Sequence, residues 1–183
     1  MPKTLIYAGI GSRKTDGASL VEMTSIAQQL SPNWILRSGH ADGADLAFER
    51  GAIECSGKKE IYIPWYGFRG APRDHADYIR PKATKELAAF SASYHPNWNA
   101  CSDEAKLLHM RNACQILGMD GETPVDMVIC WTPKGLRTGG TGQALRIAEA
   151  FNIPIFDLGI PGNETRYELI EFVDFTEKSV QAA

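Results

Sequence analysis

The sequence predicts an α/β fold, a mostly parallel central sheet with helices on both faces. Three observations predict it. Short apolar runs alternate with longer amphipathic stretches along the chain. The short runs are almost wholly apolar, as strands covered on both faces must be. Glycine-rich turns stand just after several of them, where ligands bind in such sheets.

Leu5 to Ala8 reads as a buried strand, stopped by Gly9 and Gly11. Ala18 to Leu30 has helical spacing, because Leu20, Met23, Ile26, Ala27 and Leu30 share one face. Ser31-Pro32-Asn33 ends it. Trp34 to Leu36 is a second strand, and Gly43 to Glu54 a helix with Ala44, Ala47 and Phe48 inward. Ile61 to Ile63 is a third strand, ended by Pro64. The stretch from Trp65 to Asp103 is irregular and proline-rich, with one helix expected over Lys82 to Phe90. Such a long segment inside a domain is usually functional or flexible. Glu104 to Leu117 is a helix closed by Gly118, Asp126 to Trp131 a strand, and Gly142 to Phe151 a helix. Pro154 to Asp157 is a final strand, and Glu164 to Phe172 a C-terminal helix.

At 183 residues the chain suits a single domain spanning residues 1–183, with the insertion at about 65–103. Apolar residues make up 44%, enough for a core and against disorder. Nineteen basic residues against 22 acidic ones give −3, which argues against a generic coat for polyanions. A small basic pocket is still compatible with that sum. Cys55, Cys101, Cys114 and Cys130 are widely spaced and form no C-x-x-C pair. That excludes a disulfide scaffold and speaks against a structural zinc site. Buried or half-buried free thiols are expected, and no metal or cofactor. No targeting segment and no apolar run of about 18 residues is present, so a cytoplasmic protein with no membrane partner is expected.

Four motifs carry the chemistry. Gly9-Ile-Gly11-Ser12-Arg13 follows the first strand. Its glycines allow either a tight turn or close approach of an anion to backbone N–H groups, with Arg13 adding a fork of donors. It is neither a complete G-x-G-x-x-G nor a Walker A loop. Ser38-Gly39-His40-Ala41-Asp42-Gly43-Ala44-Asp45 follows the second strand. It suits a nucleotide cradle; Asp42 also suits a helix cap, and Asp45 a first-turn dipole partner. His40 reads as an exposed loop residue. Thr138-Gly139-Gly140-Thr141-Gly142 precedes a helix and is a candidate anion site. Arg111-Asn112 lies inside a helix, where Arg111 is either a ligand group or a solvated charge.

The order of these motifs resembles the Rossmann-like domain of the DNA-processing protein A (DprA) family, and more broadly the SLOG superfamily. In that family a first strand ends in a G-x-R type turn, here Gly11-Ser12-Arg13. The next ends in a Ser-Gly-x-A-x-G-x-D pattern, here Ser38 to Asp45. An Arg-Asn pair follows on a helix, here Arg111-Asn112, and then a small-residue turn, here Thr138 to Gly142. The blocks span about residues 4 to 158. The resemblance implies a Rossmann-like three-layer sandwich and a homodimer. It also implies a ligand that is either single-stranded DNA or a nucleotide or nucleotide-derived molecule. A standalone chain of this kind is the type met in phage genomes. The family's flanking helical or winged-helix domains have no counterpart in these residues. Related phosphoribohydrolases are similar in a Pro-Gly-Gly-x-Gly-Thr-x-x-Glu loop; here the proline is absent and Arg146 replaces the acid. The acid's role therefore does not carry over.

Binding is thus the leading expectation. Arg13, Lys14, Arg69, Arg73, Arg80 and Lys82 offer charge, and Trp65, Tyr66, Phe68, Tyr94, Trp98 and Trp131 offer stacking surfaces or core. The alternative is a nucleotide N-glycosidic bond hydrolase, which needs a carboxylate near the sugar carbon. Its candidates are Asp45, Glu149 and Glu49. A third reading is a scaffold module that takes no ligand.

Overall fold

The computed structural model describes residues 4–163 and 166–182. Six strands form its frame: β1 (Leu5–Gly11), β2 (Trp34–Ser38), β3 (Lys59–Tyr62), β4 (Tyr78–Ile79), β5 (Met127–Trp131) and β6 (Ile155–Asp157). They make one all-parallel sheet in the order β4-β3-β2-β1-β5-β6. β1 is central, with Tyr7 in register with Leu36 on one side and Met127 on the other. The helices are α1 (Gly17–Leu30), α2 (Ala44–Glu54), α3 (Lys85–Ser93), α4 (Asp103–Leu117), α5 (Gly139–Ala150) and α6 (Arg166–Ala182).

Strand alternation divides the core in two. Leu5, Tyr7, Leu36, Ile61 and Met127 meet Met23, Ile26, Ala47, Phe48 and Leu169, from α1, α2 and α6. Ala8, Ile10, Val128 and Cys130 meet Ala113, Ile116, Leu145 and Ile147, from α4 and α5, with Leu87 and Phe90 of α3 alongside. The result is a Rossmann-like three-layer α/β sandwich. Among the described residues, no helix is long and apolar enough to cross a membrane.

Several boundaries differ from the sequence expectation. β1 runs through Gly9 and Gly11 instead of stopping before them. A Cβ at Gly9 would lie 2.6 Å from Phe48 Cγ and 2.8 Å from Leu36 Cδ1, so its missing side chain is space for the Phe48 ring. β4 was not expected; two residues carry no periodicity, and only pairing of Ile61 with Tyr78 makes them a strand. Its segment also holds 3-10 turns at Phe68–Gly70 and Trp98–Ala100. α3 begins later than expected, because Thr84 caps it by accepting from Leu87 N–H at 3.1 Å. α6 runs on past Phe172 to Ala182, and Glu164 lies outside the described residues. Among the thiols, Cys114 and Cys130 are buried as expected, Cys101 is half-buried, and Cys55 is exposed.

Candidate functional site

A cleft of about 990 Å³ opens at the carboxyl ends of β1 and β5. Chain connections from β1 go one way across the sheet to β2, and the return to β5 goes the other. Such a reversal leaves a crevice, the usual ligand position in open parallel sheets. The volume lies at the upper end of the roughly 300–1,000 Å³ typical of small-molecule sites.

Its floor is Ile10, Gly11 and Ser12 at the end of β1. Ser12 N–H donates to Trp131 O at 3.1 Å, which holds the turn against β5. Ser12 Oγ accepts from Lys14 N–H at 3.0 Å, and Thr15 Oγ1 donates to Ser12 O at 2.7 Å. This tight turn sends Arg13 and Lys14 outward at the rim, both exposed.

α4 supplies the wall, and its Arg-Asn pair reaches two separate loops. Arg111 is buried, not a solvated helix charge. Its Nη1 donates to Gly39 O and, at 3.2 Å, to Tyr62 O, so it clamps the ends of β2 and β3. Its guanidinium lies 5.7 Å from the Phe68 ring centre, within cation–π range. Asn112 Nδ2 donates to Gly140 O at 3.2 Å and so holds the start of α5. Helical spacing brings Leu108 and Gln115 to the same wall. Arg111 Nε and Gln115 Nε2 are buried donors without a hydrogen-bond partner. Both atoms are shut off from solvent, behind the surface that Arg111 and Gln115 present to the cleft.

Helix N-termini complete the donor set. α1, α3 and α4 are capped by the side chains of Asp16, Thr84 and Ser102. α2 and α5, the two that start at the cleft, have no side-chain cap. Leu46 N–H in the first turn of α2 donates to Ala41 O at 3.2 Å, and the positive dipole ends of both helices face the cleft. Thr138, Gly139, Gly140 and Thr141 all line the cleft. Gly139 and Gly140 belong to α5 itself, where the sequence suggested a preceding turn. Gly142, also in the first turn, is buried against the Arg137 backbone and packs the helix instead of meeting the cleft.

Asp45 is the carboxylate of the cleft. It is 5% exposed, with Oδ2 3.9 Å from Arg111 Nη1 and 3.4 Å from Ala41 N–H. Burial pushes its pKa up to about 6, against the opposing pull of Arg111. Desolvation therefore outweighs this long ion pair. Trp65 and Phe68, ring centres 5.2 Å apart, give the cleft an aromatic side, and Arg69 stands at its rim. His109 also lines it; burial lowers its pKa and keeps the imidazole neutral.

The remaining candidates stand behind the cleft. Ser38 Oγ donates to Gly9 O at 2.7 Å, deep in the sheet. Gly39 lies against the Arg111 guanidinium, which leaves no room for a Cβ. Gly43, at φ 87°, would place a Cβ 2.7 Å from Ser12 O; only glycine lets α2 start so close to the β1 turn. Asp42 does not cap α2 but pairs with Arg69 at 2.9 Å. His40 is half-buried, not a free loop residue. It sits 2.7 Å from Glu49 and is held at φ 57°. Glu49 is engaged on its other oxygen by the Tyr78 hydroxyl. Glu149 faces solvent and pairs with Arg137 at 2.9 Å, away from the cleft. Arg146 donates to Tyr94 O and Arg137 O, at 2.8 and 3.1 Å, and so fastens loops. Sequence reasoning missed Leu108, His109 and Gln115; their spacing of one helical turn on either side of Arg111 and Asn112 is the signal that points to them.

No protein-family model and no curated protein matches the chain. Solved structures do. DNA processing protein A of Helicobacter pylori, described for its single-stranded DNA binding mode, aligns with a TM-score of 0.50 at 16% identity. That match covers 98% of this chain and 81% of the other. The Moco carrier protein of Chlamydomonas aligns at 0.52 and 16%, covering 97% and 87%. DprA of Streptococcus pneumoniae aligns at 0.49 and 17%, covering 91% and 56%. At such identities the likeness is one of fold. The chain has the Rossmann-like α/β fold that the Helicobacter DprA and the Moco carrier protein share.

Proposed function

We propose that the cleft binds a nucleotide through its phosphate, either as a free nucleotide or as a unit of single-stranded DNA. The observation that carries this reading is the meeting of two helix starts without side-chain caps at one cavity. The positive dipole ends of α2 and α5 face it, and Arg111 and Gln115 line it. Such dipole ends suit an anion, and backbone N–H groups at helix starts suit phosphate. Trp65 and Phe68 offer a base an apolar face, and the exposed Arg13 and Lys14 continue the positive rim outward. The Helicobacter relative, described by its single-stranded DNA binding, lends the polymer version support.

One observation favours a second reading, hydrolysis of the N-glycosidic bond. Asp45 lines the cleft with a pKa near 6, the range of a working acid or base at neutral pH. Glu149 and Glu49 are both engaged outside the cleft lining.

A thermal-shift series against nucleoside mono- and diphosphates and oligo-dT tests the binding reading. A ligand at 100 times its Kd stabilises the folded state by about 2.7 kcal/mol. The expected result is a rise in melting temperature, reduced in an Arg13→Ala, Lys14→Ala variant. A shift from oligo-dT that collapses with salt selects the polymer, because each phosphate contact steepens the salt dependence. A salt-tolerant shift from a mononucleotide selects the free ligand. No shift from any probe rejects the reading, and base or sugar release during incubation selects hydrolysis.

A further inference from the structure

His95, Cys101 and His109 meet beside the cleft, although no two are adjacent in sequence. His95 lies two residues beyond the end of α3, Cys101 follows the Trp98–Ala100 turn, and His109 stands in α4. One candidate ligand atom from each of the three lies within 4.8 Å of the others. Cys101 Sγ is 3.8 Å from both ring nitrogens of His95, and the two imidazole centres are 4.3 Å apart. A tetrahedral metal with bonds of about 2.0–2.3 Å to nitrogen and sulfur holds its ligands roughly 3.3–3.8 Å apart. Cys101 and His95 already stand at that spacing, and a contraction of at most about 1 to 1.5 Å from the 4.8 Å limit brings in His109.

The tautomer of His109 is fixed from outside. Gln143 Nε2 donates to Ser91 O at 3.2 Å, a carbonyl that can only accept. Gln143 Oε1 therefore faces the other way, where it also accepts from Asn112 Nδ2 at 3.4 Å. His109 Nδ1, 3.0 Å from that same oxygen, must carry the proton. Its Nε2 is left with the free lone pair. Metal-bound histidines are held in this way, the second ring nitrogen donating to an oxygen behind it. The His95 side is looser: Nδ1 accepts a long bond from Asn97 N–H at 3.2 Å, which ligation through that atom replaces.

We propose that His95, Cys101 and His109 bind a zinc(II) ion, with a water in the fourth position. Two imidazoles and a thiolate form a borderline donor set that suits zinc, and three protein ligands leave one position open. On binding, the Cys101 thiol releases its proton to solvent and the sulfur takes the metal. The ion joins the end of the 65–103 segment to α4. Because His109 also lines the cleft, the ion stands beside the proposed ligand position. The site does not depend on the nucleotide reading, since none of its tests uses a nucleotide.

Untagged full-length protein, stripped with a chelator, is titrated with cobalt(II) and then zinc(II). A thiolate-to-cobalt charge-transfer band is expected, saturating at one ion per chain and displaced by zinc. Cys101→Ser abolishes the band, while Cys55→Ser, at the exposed thiol, keeps it. His95→Gln lowers affinity by at least the roughly 10–100-fold that loss of a supporting partner costs. Zinc raises the melting temperature of the parent protein and not of Cys101→Ser, with far-ultraviolet circular dichroism reporting that each variant is folded. The assignment is overturned by absence of the band in folded protein, by its survival in Cys101→Ser, or by its loss in Cys55→Ser. A preference for copper(II) that zinc does not displace also overturns it.

Discussion

Arg111 is the residue on which most of the cleft depends. It bonds the ends of two strands, stacks over Phe68 and faces Asp45, all from one buried guanidinium. Arg111→Met keeps much of the volume and removes the charge. It leaves the Gly39 and Tyr62 carbonyls without this donor and Asp45 without its nearby cation. Removing one partner of a buried pair costs about 3–5 kcal/mol. We expect a loss in that range by denaturant unfolding and no measurable nucleotide binding in the folded fraction. A loss below about 1 kcal/mol would place the guanidinium in solvent. Asp45 gives the opposite sign. Its folded pKa of about 6 exceeds the unfolded value near 4, so the native state retains a proton that the unfolded state releases. Its contribution is therefore greatest below pH 4 and is lost as pH rises through 6. Asp45→Asn should flatten stability between pH 4 and 7 and equal or exceed the parent at pH 7.5. Denaturant melts at four pH values read this directly. An unchanged slope would mean that Asp45 is ionised throughout.

At the scale of elements, the start of α5 is set by packing as much as by ligand chemistry. Gly142 lies against the Arg137 backbone, which cannot move aside as a side-chain tip can. Gly142→Ala should cost about 1–3 kcal/mol as an overpacked site, despite alanine's better helix propensity. A melting temperature at or above the parent's would show that the turn before α5 yields. The same element shows what sequence could convey. Thr138 to Gly142 was legible as a donor-rich helix start, because glycine and threonine clusters mark such places. That Gly140 turns to the cleft while Gly142 turns to Arg137 was not, since both are glycines two residues apart. Gly9 is similar: it reads as a ligand glycine and is a packing glycine, because Phe48 from α2 fills the space. β4 was invisible for a different reason. Its two residues hold no pattern, and β3 alone gives them a strand partner.

Across the whole molecule, the net charge of −3 and the positive rim are compatible because they occupy different places. Arg13 and Lys14 stand exposed at the cleft rim, while Arg69 and Arg111 face Asp42 and Asp45 there and Glu149 is paired with Arg137 elsewhere. The summed charge therefore says little about the cleft; local potential steers a charged ligand. The sequence by itself determined the layer architecture, five of the six strands, and the edge of the sheet where unusual residues collect. Those properties follow from local periodicity and turn chemistry, which act over a few residues. Only the tertiary structure decided that Arg111 is buried, that Glu149 stands outside the cleft, and that His95 and Cys101 meet His109. Each of these depends on how α4 and the 65–103 segment pack against elements distant in sequence, and burial and partnership are properties of that packing.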